Sequence, residues 1–575
     1  MAKPFETKIQ DLVYNVDVGI GLRLIKAGLY CLGVLILMLL YTATQFHGLK
    51  EAEAMDYGQL GRNLATKHQF VTQCVRPLTM WGLIEKSSKH SPMVNGHPDT
   101  LHAPLWPLVL AAGFKATRVS FSGDNAGGVF PPEQWVVIPL SHLFTLLTGI
   151  MVLLIGKRLF DKRVGLLSMT VFFLSDTVWS TSISGLGISL AMFLVTAAVY
   201  AALVAVARAQ EDLPTRKWLV PMGVALVFCI LAFLTRYATA VIVPGIALYI
   251  GLSLKKRGWT RALIFIAVFL VGLSPWLARN KIVSGGLLGM APYTALIGTD
   301  SFPEDALERS LSPQITAGAV AKELQHKLVT HLSRYYSQDL RTIGDGLLVC
   351  LFITAFFYRF VRTPVHLLRW CMALSALLLL FVAGVFGDVT ARLFVVFWPL
   401  VIIYGFAFFF ILLERLQLRV RLFNLAITTL FVVLAALPLI LTMMPPRVGF
   451  PYPPYYHLIT RNVSSLLEPV EIMCTDMPWA TAWYGNRTSL LLPSSMDEFY
   501  EINDYTKQID GIYFTQLTLN KPWVKTLLMG RDRSWFPLFE SRIPADFPLP
   551  HGMTIPSGTM DQLFLTDSME RLRAK

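Results

Sequence analysis

Charge is scarce in this sequence. Only 15% of its 575 residues are charged while 54% are hydrophobic, and the mean hydropathy is +0.54. Soluble domains carry about a quarter charged residues, so an ordinary water-soluble fold is excluded. Cysteine is rare as well. Of six, Cys31, Cys229, Cys350 and Cys371 fall in apolar runs, where a free thiol behaves as a small apolar group. Cys74 and Cys474 lie outside those runs and allow at most one disulfide, and no cysteine spacing suits zinc. Internal repeats are missing, as are glycine- or proline-broken helices at matching places in two halves, which a transporter would show. A cleavable leader is missing too: the first apolar run is too long for one, lacks a clear small-residue cleavage site, and reads as a signal anchor. No Lys-Asp-Glu-Leu signal is present, which favours a bacterial inner membrane over an endomembrane.

Long apolar runs take the place of all this. Runs of about 17–25 residues, enough to cross about 30 Å of hydrocarbon, recur near 24–46, 134–156, 162–178, 186–207, 218–235, 237–253, 262–278, 344–360, 366–386, 393–413 and 422–444. A polytopic α-helical membrane protein with about eleven spans is expected. Lys157, Arg158, Lys162 and Arg163 follow the second run, and Arg208, Arg216 and Lys217 the fourth. Lys255, Lys256, Arg257 and Arg261 follow the sixth, Arg359, Arg362 and Arg369 the eighth, and Arg415, Arg419 and Arg421 the tenth. With Lys3, Lys8, Arg23 and Lys26 ahead of the first run, every second loop is basic, as cytoplasmic loops are. The N-terminus is therefore expected in the cytoplasm and the C-terminus outside, in the periplasm of a bacterial cell. The net charge of +13 reflects this topology and implies no nucleic-acid partner.

Loops 47–133 and 279–343 and the tail 445–575 lie outside on this topology. The chain divides into a transmembrane unit, 1–444, and an external unit, 445–575. In the latter, VEIMCTD (470–476), TSLLLP (488–493) and GIYFTQL (511–517) read as strands, and MDEFYEI (496–502) as a helix between the last two. A small α/β domain follows, joined through the proline-rich linker PPRVGFPYPPYY (445–456).

Candidate chemistry gathers on the outer side. Asp56 opens EAMDYGQLGRNLATKHQF (53–70), an amphipathic stretch just beyond the first span, where the bland role for an acid is a helix N-cap. Arg236, Arg279 and Arg392 sit at the outer ends of spans, where basic residues should be depleted. Snorkelling, or pairing with Asp176 or Asp388, would explain one such arginine; three together suggest an anion held in a polar cavity, and guanidinium suits phosphate. Nucleotide-activated donors stay in the cytoplasm, so an outward-facing transferase needs a donor carried across on lipid. A polyprenyl-phosphate sugar fits: arginines hold the departing phosphate while a carboxylate deprotonates the acceptor hydroxyl. No cofactor is required. His90, His97 and His102 with Asp99 form the one set that could hold a divalent metal, although loop histidines are more often solvated.

These residues resemble the GT-C membrane glycosyltransferases, especially the family 39-like group of protein O-mannosyltransferases and lipid A aminoarabinose transferases. The resemblance rests on Asp56-Tyr57 and the helix after it, then on HAPLWPLVLA (102–111), GKRLFDKRVGLL (156–167), LTRYATAVIVP (234–244), SPWLARNKIVSGG (274–286), TARLFVVFWPL (390–400) and TDMPWATAWYGNRTSLLLP (475–493). It implies a GT-C-like fold and an inverting transfer of sugar from a polyprenyl-phosphate donor to an extracytoplasmic hydroxyl on a lipid, glycan or protein. Asp56 would be the base, Tyr57 and His102 would lie at the substrate, and Arg236, Arg279 and Arg392 would bind the lipid phosphate. The family often carries a second acid before the fourth span, where SGLGISL (184–190) has none; Asp176 is the candidate substitute. A non-catalytic scaffold on the same fold is the alternative, ahead of a carrier for lipid-linked sugar.

Overall fold

Hydrophobic length accounts for most of the architecture. The computed structural model describes residues 20–86, 93–121, 129–211, 214–254, 257–339, 346–417, 420–444, 457–521, 527–540, 542–556 and 561–573. Eight helices among them are long and apolar enough to cross a membrane. A ninth span is expected in two pieces: Lys162–Phe173 and Asp176–Ser182 are bent by 58° at the break between them. The other two expected spans are shorter apolar helices, Tyr237–Ser253 and Gly346–Ala355. The first opens as a tight 3-10 turn, Tyr237–Val241, directly after Arg236. This chain is an integral membrane protein.

Burial ranks the helices by position. Ile188–Gln210, 78% buried, and Asp388–Arg415, 72%, form the centre of the bundle, while Gly21–Gln45, only 6% buried, stands at its edge with its leucines outward. Apolar side chains on that outer face meet lipid, so their exposure carries no aggregation penalty. Just before Ile188, the chain makes a tight passage at Gly185 and Gly187, both left-handed (φ +73° and +71°). A Cβ at Gly187 would lie 2.7 Å from Trp106, and one at Gly185 would lie 2.5 Å from Leu49. Only glycine fits there. The passage leaves Leu186 with its carbonyl turned toward Arg236.

The external unit does not stop at the tail. Its six-stranded sheet runs in the order β2-β5-β4-β6-β8-β7, with β2 (Cys74–Val75), β4 (Ile472–Thr475), β5 (Thr488–Leu491), β6 (Gly511–Phe514), β7 (His551–Ile555) and β8 (Gln562–Thr566). Strands β2, β5, β4 and β6 are parallel, whereas β8 and β7 close the far edge antiparallel. The tail segments expected as strands and helix take those forms, including Met496–Tyr505 as the helix. The edge strand β2 belongs to the first external loop, however, and Val75 and Met80 join Phe499, Phe514 and Trp535 in the tail's core. The first external loop thus shares a core with the tail. In the same loop, β1 (Val71–Thr72) pairs antiparallel with β3 (His97–Pro98). The proposed linker 445–456 lies outside the described residues.

That topology rules out the Cys74–Cys474 bridge. Both cysteines are free and buried, and β5 lies between their strands. Two strand spacings put them about 9–10 Å apart, beyond disulfide reach.

Candidate active site

The helix Ala52–Lys67 carries the acid. Its buried face includes Met55, Asp56, Tyr57, Gln59 and Leu60. Glycine at 58 lets Trp483 of the tail lie against the helix, with the ring 3.1 Å from where a Cβ would be. Asp56 stands within the helix, whose N-cap is Glu51, so capping is not its role. One turn C-terminal to the glycine, Arg62 donates to the carbonyls of Ala482 (2.6 Å) and Trp483 (2.9 Å), fastening the tail to this helix. Glu133 adds a second fastening by accepting from the Trp483 indole at 2.7 Å and from the Leu49 amide at 3.2 Å.

Asp56 is 1% exposed. Its Oδ2 accepts from Arg76 Nη2 at 2.6 Å and lies 3.8 Å from His102 Nε2. Its Oδ1 is buried with no nitrogen or oxygen partner, and the Cys74 thiol stands beside the carboxylate. Arg76 also reaches Glu308 Oε1 at 3.3 Å, so one guanidinium bridges two acids. Burial raises the carboxyl of Glu308, with the Arg76 charge pulling the other way. His102 is held from its other side: Nδ1 meets Asp99 Oδ2 at 2.8 Å, and the backbone amide of His102 donates to Asp99 Oδ1 at 2.8 Å. Burial works against the imidazolium, but Asp99 and then Asp56 outweigh it, so His102 titrates above its ordinary value. Tyr57 packs edge-on against the His102 ring, with centroids 5.0 Å apart.

These groups open onto a cavity of about 740 Å³. Asp56, Tyr57, His102, Arg236 and Arg392 all line it. Arg236 donates to Glu53 at 2.5 Å and to the Leu186 carbonyl at 3.0 Å, the carbonyl presented by the two left-handed glycines. Burial opposes charge on Glu53, and Arg236 followed by His102 outweighs it, lowering that carboxyl. Arg392 pairs with Glu51 at 2.7 Å, both side chains part-exposed. Lys327, on the helix Ala317–Arg334, donates to the carbonyls of Ala295 (2.8 Å) and Ile297 (2.5 Å), and burial lowers its amine to about 8. Apolar walls come from Val241, Leu288, Val382 and Phe386.

Two expected site residues stand elsewhere. Arg279 does not line the cavity: it donates to the Asp99 carbonyl at 2.6 Å and packs over Phe70 and Trp276, bracing the loop that holds His102. Asp176 opens the second piece of the bent pair and accepts from Tyr41 at 2.9 Å, away from the cavity lining. Tyr41 belongs to the peripheral first helix, so Asp176 faces that helix. Asp388, the other offered partner, pairs with Arg334. Conversely, sequence reasoning did not identify Arg76, Glu53, Glu308 or Lys327. Arg76 had one available signal: it stands on an external loop, on the same side as the three rule-breaking arginines.

Charges of both signs line the cavity. Five carboxylates, Glu51, Glu53, Asp56, Glu308 and Asp388, face four cations, Arg76, Arg236, Lys327 and Arg392. Each of the three arginines is paired with a carboxylate, so an anion entering at an arginine must take it from that carboxylate. Among the described residues no three His, Cys, Asp or Glu side chains group as metal ligands. His102 Nδ1 is engaged by Asp99 and His97 Nδ1 by the Met93 carbonyl, while His90 lies outside the described residues.

No protein-family model matches the chain, and no curated protein matches it. Solved structures do. Oligosaccharyltransferase AglB from Archaeoglobus fulgidus, in complex with an inhibitory peptide and a dolichol-phosphate, overlaps with a TM-score of 0.53 at 11% identity, over 93% of this chain and 74% of that one. The oligosaccharyltransferase of the same organism, in complex with Zn and sulfate, gives 0.51 at 11% identity over 84% and 67%. ArnT from Cupriavidus metallidurans, bound to undecaprenyl phosphate, gives 0.44 at 10% identity over 95% and 99%. The first two overlaps show a shared fold. It is a GT-C-like polytopic helical fold.

Proposed function

We propose that this GT-C-fold chain is a glycosyltransferase that moves a sugar from a polyprenyl-phosphate donor to an acceptor hydroxyl outside the cytoplasm. The observation carrying this reading is the placement of Asp56: a buried acid with one oxygen free of nitrogen and oxygen partners, at the wall of a cavity that also presents Arg236 and Arg392. The dolichol-phosphate bound to AglB supports a lipid phosphate as the ligand class. The acceptor is a lipid, glycan or protein; the basic loops support a reaction on the side away from the cytoplasm, which we take to be the periplasmic side of a bacterial inner membrane.

The chemistry is a single displacement. Asp56 takes the proton of the acceptor hydroxyl as its oxygen attacks the anomeric carbon, and the bond from that carbon to the phosphate oxygen breaks with its electron pair going to the phosphate. Attack opposite the leaving group inverts the anomeric configuration. Arg236 and Arg392 meet the charge developing on the leaving phosphate. Arg76 fixes one oxygen of Asp56 and leaves the other for the acceptor, while Tyr57 and His102 border the same space. Arg279 acts through the Asp99 loop, as a positioning residue. Three acids near the acceptor would supply polar contacts to sugar hydroxyls: Asp56, Glu53 and Glu308.

Asp56→Asn tests the assignment, because it keeps the shape and removes the base. Sugar transfer from a polyprenyl-phosphate donor by purified protein is expected to fall at least about a hundredfold, the usual worth of a general base. Undiminished transfer would remove Asp56 from the mechanism.

A further inference from the structure

The segment 51–56 supplies a carboxylate to each arginine of the cavity: Glu51 to Arg392, Glu53 to Arg236 and Asp56 to Arg76. The three pairs are not equivalent. Asp56–Arg76 is buried at both ends and reinforced by Glu308. Glu51–Arg392 is 35% and 42% exposed, so solvent already competes for it. Glu53–Arg236 joins a buried guanidinium to a carboxylate 22% exposed toward the cavity.

That middle pair is also incompletely made. A guanidinium and a carboxylate are best matched by two parallel hydrogen bonds. Here Glu53 Oε1 accepts both from Arg236 Nη1 and from the Tyr57 hydroxyl at 3.1 Å. Glu53 Oε2 and Arg236 Nε are both buried without a partner. Each such orphan costs about 1–3 kcal/mol. A phosphate presents several acceptor oxygens and more charge than a carboxylate, so it can take over both donors, Arg236 Nη1 and the Tyr57 hydroxyl, that now share the single oxygen Glu53 Oε1. Exchange would also free Glu53 toward the 22% of its surface that is open.

Resting on the lipid-phosphate reading above, we propose that Glu53 is an exchangeable counter-ion: the phosphate of the lipid donor displaces it from Arg236. Glu53 thereby holds the arginine charged and oriented in the empty site, and makes entry selective for a headgroup that can outbid a carboxylate. A neutral polyprenol cannot make the exchange. Glu53 is a specificity-determining residue in this account, separate from the base one turn further along the same helix.

The test uses full-length protein in detergent, with undecaprenyl phosphate and undecaprenol as probes. Glu53→Gln removes the competing charge and is expected to tighten undecaprenyl phosphate binding about tenfold, equivalent to about 1.4 kcal/mol. Undecaprenol binding stays as in the wild type, and Arg236→Gln weakens phosphate binding. Glu51→Gln, at the exposed pair, changes it less than about twofold. Phosphate binding by Glu53→Gln that is unchanged or weaker, in protein with an unaltered melting midpoint, overturns the proposal. If that variant melts early, Glu53→Asp decides: one methylene shorter, it holds Arg236 less well and must also tighten phosphate binding. Wild-type protein that binds phosphate and alcohol equally would refute the lipid-phosphate reading itself.

Discussion

Removing Arg76 should expose how much of this site is held by one cation. Arg76→Met keeps a long apolar stem and deletes the guanidinium that joins Asp56 at 2.6 Å to Glu308 at 3.3 Å. Asp56, 1% exposed, then loses its one close counter-charge and keeps only His102 at 3.8 Å and the Cys74 thiol, and a buried pair broken on one side costs about 3–5 kcal/mol. Glu308 adds less, since its side chain is 26% exposed and can take water. The comparison that isolates the pair is a cycle of wild type, Arg76→Met, Asp56→Asn and the double variant, followed by thermal unfolding in one detergent. The single Arg76→Met should melt well below the wild type. Asp56→Asn on that background should recover most of the loss, because the amide needs no counter-charge, giving a coupling of about 2 kcal/mol or more between the two positions. Losses that simply add, or an Arg76→Met protein as stable as the wild type, would refute a buried, mutually dependent pair.

Two further outcomes follow from neighbouring residues. His102 titrates above the ordinary 6.5 because Asp99 and Asp56 outweigh its burial, so its contribution to stability is complete below about pH 6.5 and is lost as pH rises through the higher folded value. Plotted against pH over that window, the melting midpoint of wild type should slope downward relative to His102→Gln; parallel curves would remove His102 as the titrating group. Arg62→Ala deletes the two bonds to Ala482 and Trp483 and the stacking on Trp483 and Phe121. It should loosen the tail from the helix Ala52–Lys67 and cost about 2–4 kcal/mol, read as faster proteolysis of the tail with the transmembrane unit intact. Unchanged proteolysis would mean that Glu133 and β2 suffice to hold it.

The sequence made the bundle legible because membrane thickness imposes a length on apolar runs and loop charge imposes an orientation. Each expected span falls on an apolar helix, and those that fall short, Tyr237–Ser253 and Gly346–Ala355, sit where the chain also breaks into 3-10 turns or short connections. The site was legible in part. Asp56, Tyr57, His102, Arg236 and Arg392 do share one cavity. Depth, however, does not fix direction: Arg279 occupies the outer end of its span as read, yet turns to a backbone carbonyl. Partners were hidden for a different reason. Glu308 meets Arg76 across more than two hundred positions of chain, and β2 meets β5 from still further away, so neither leaves a local pattern of period or composition. A two-residue strand such as Cys74–Val75 has no alternation to detect.

That short strand also sets a schedule for making the molecule. Arg62 and Ala482 are 420 residues apart, and the edge that receives β2 emerges from the ribosome nearly last. At about 5–20 residues per second, the first external loop waits roughly 20–80 s on the far side of the membrane before its docking strand exists. Until then the segment leading from Cys74 into Arg76 has no sheet to order it. A nascent chain halted anywhere in the membrane bundle would be inserted yet unfinished at Asp56. Completion of the outermost, last-made sheet thus becomes the step that assembles the acid near the first-made helix, and truncations of the tail should register as loss of the site as well as loss of a domain.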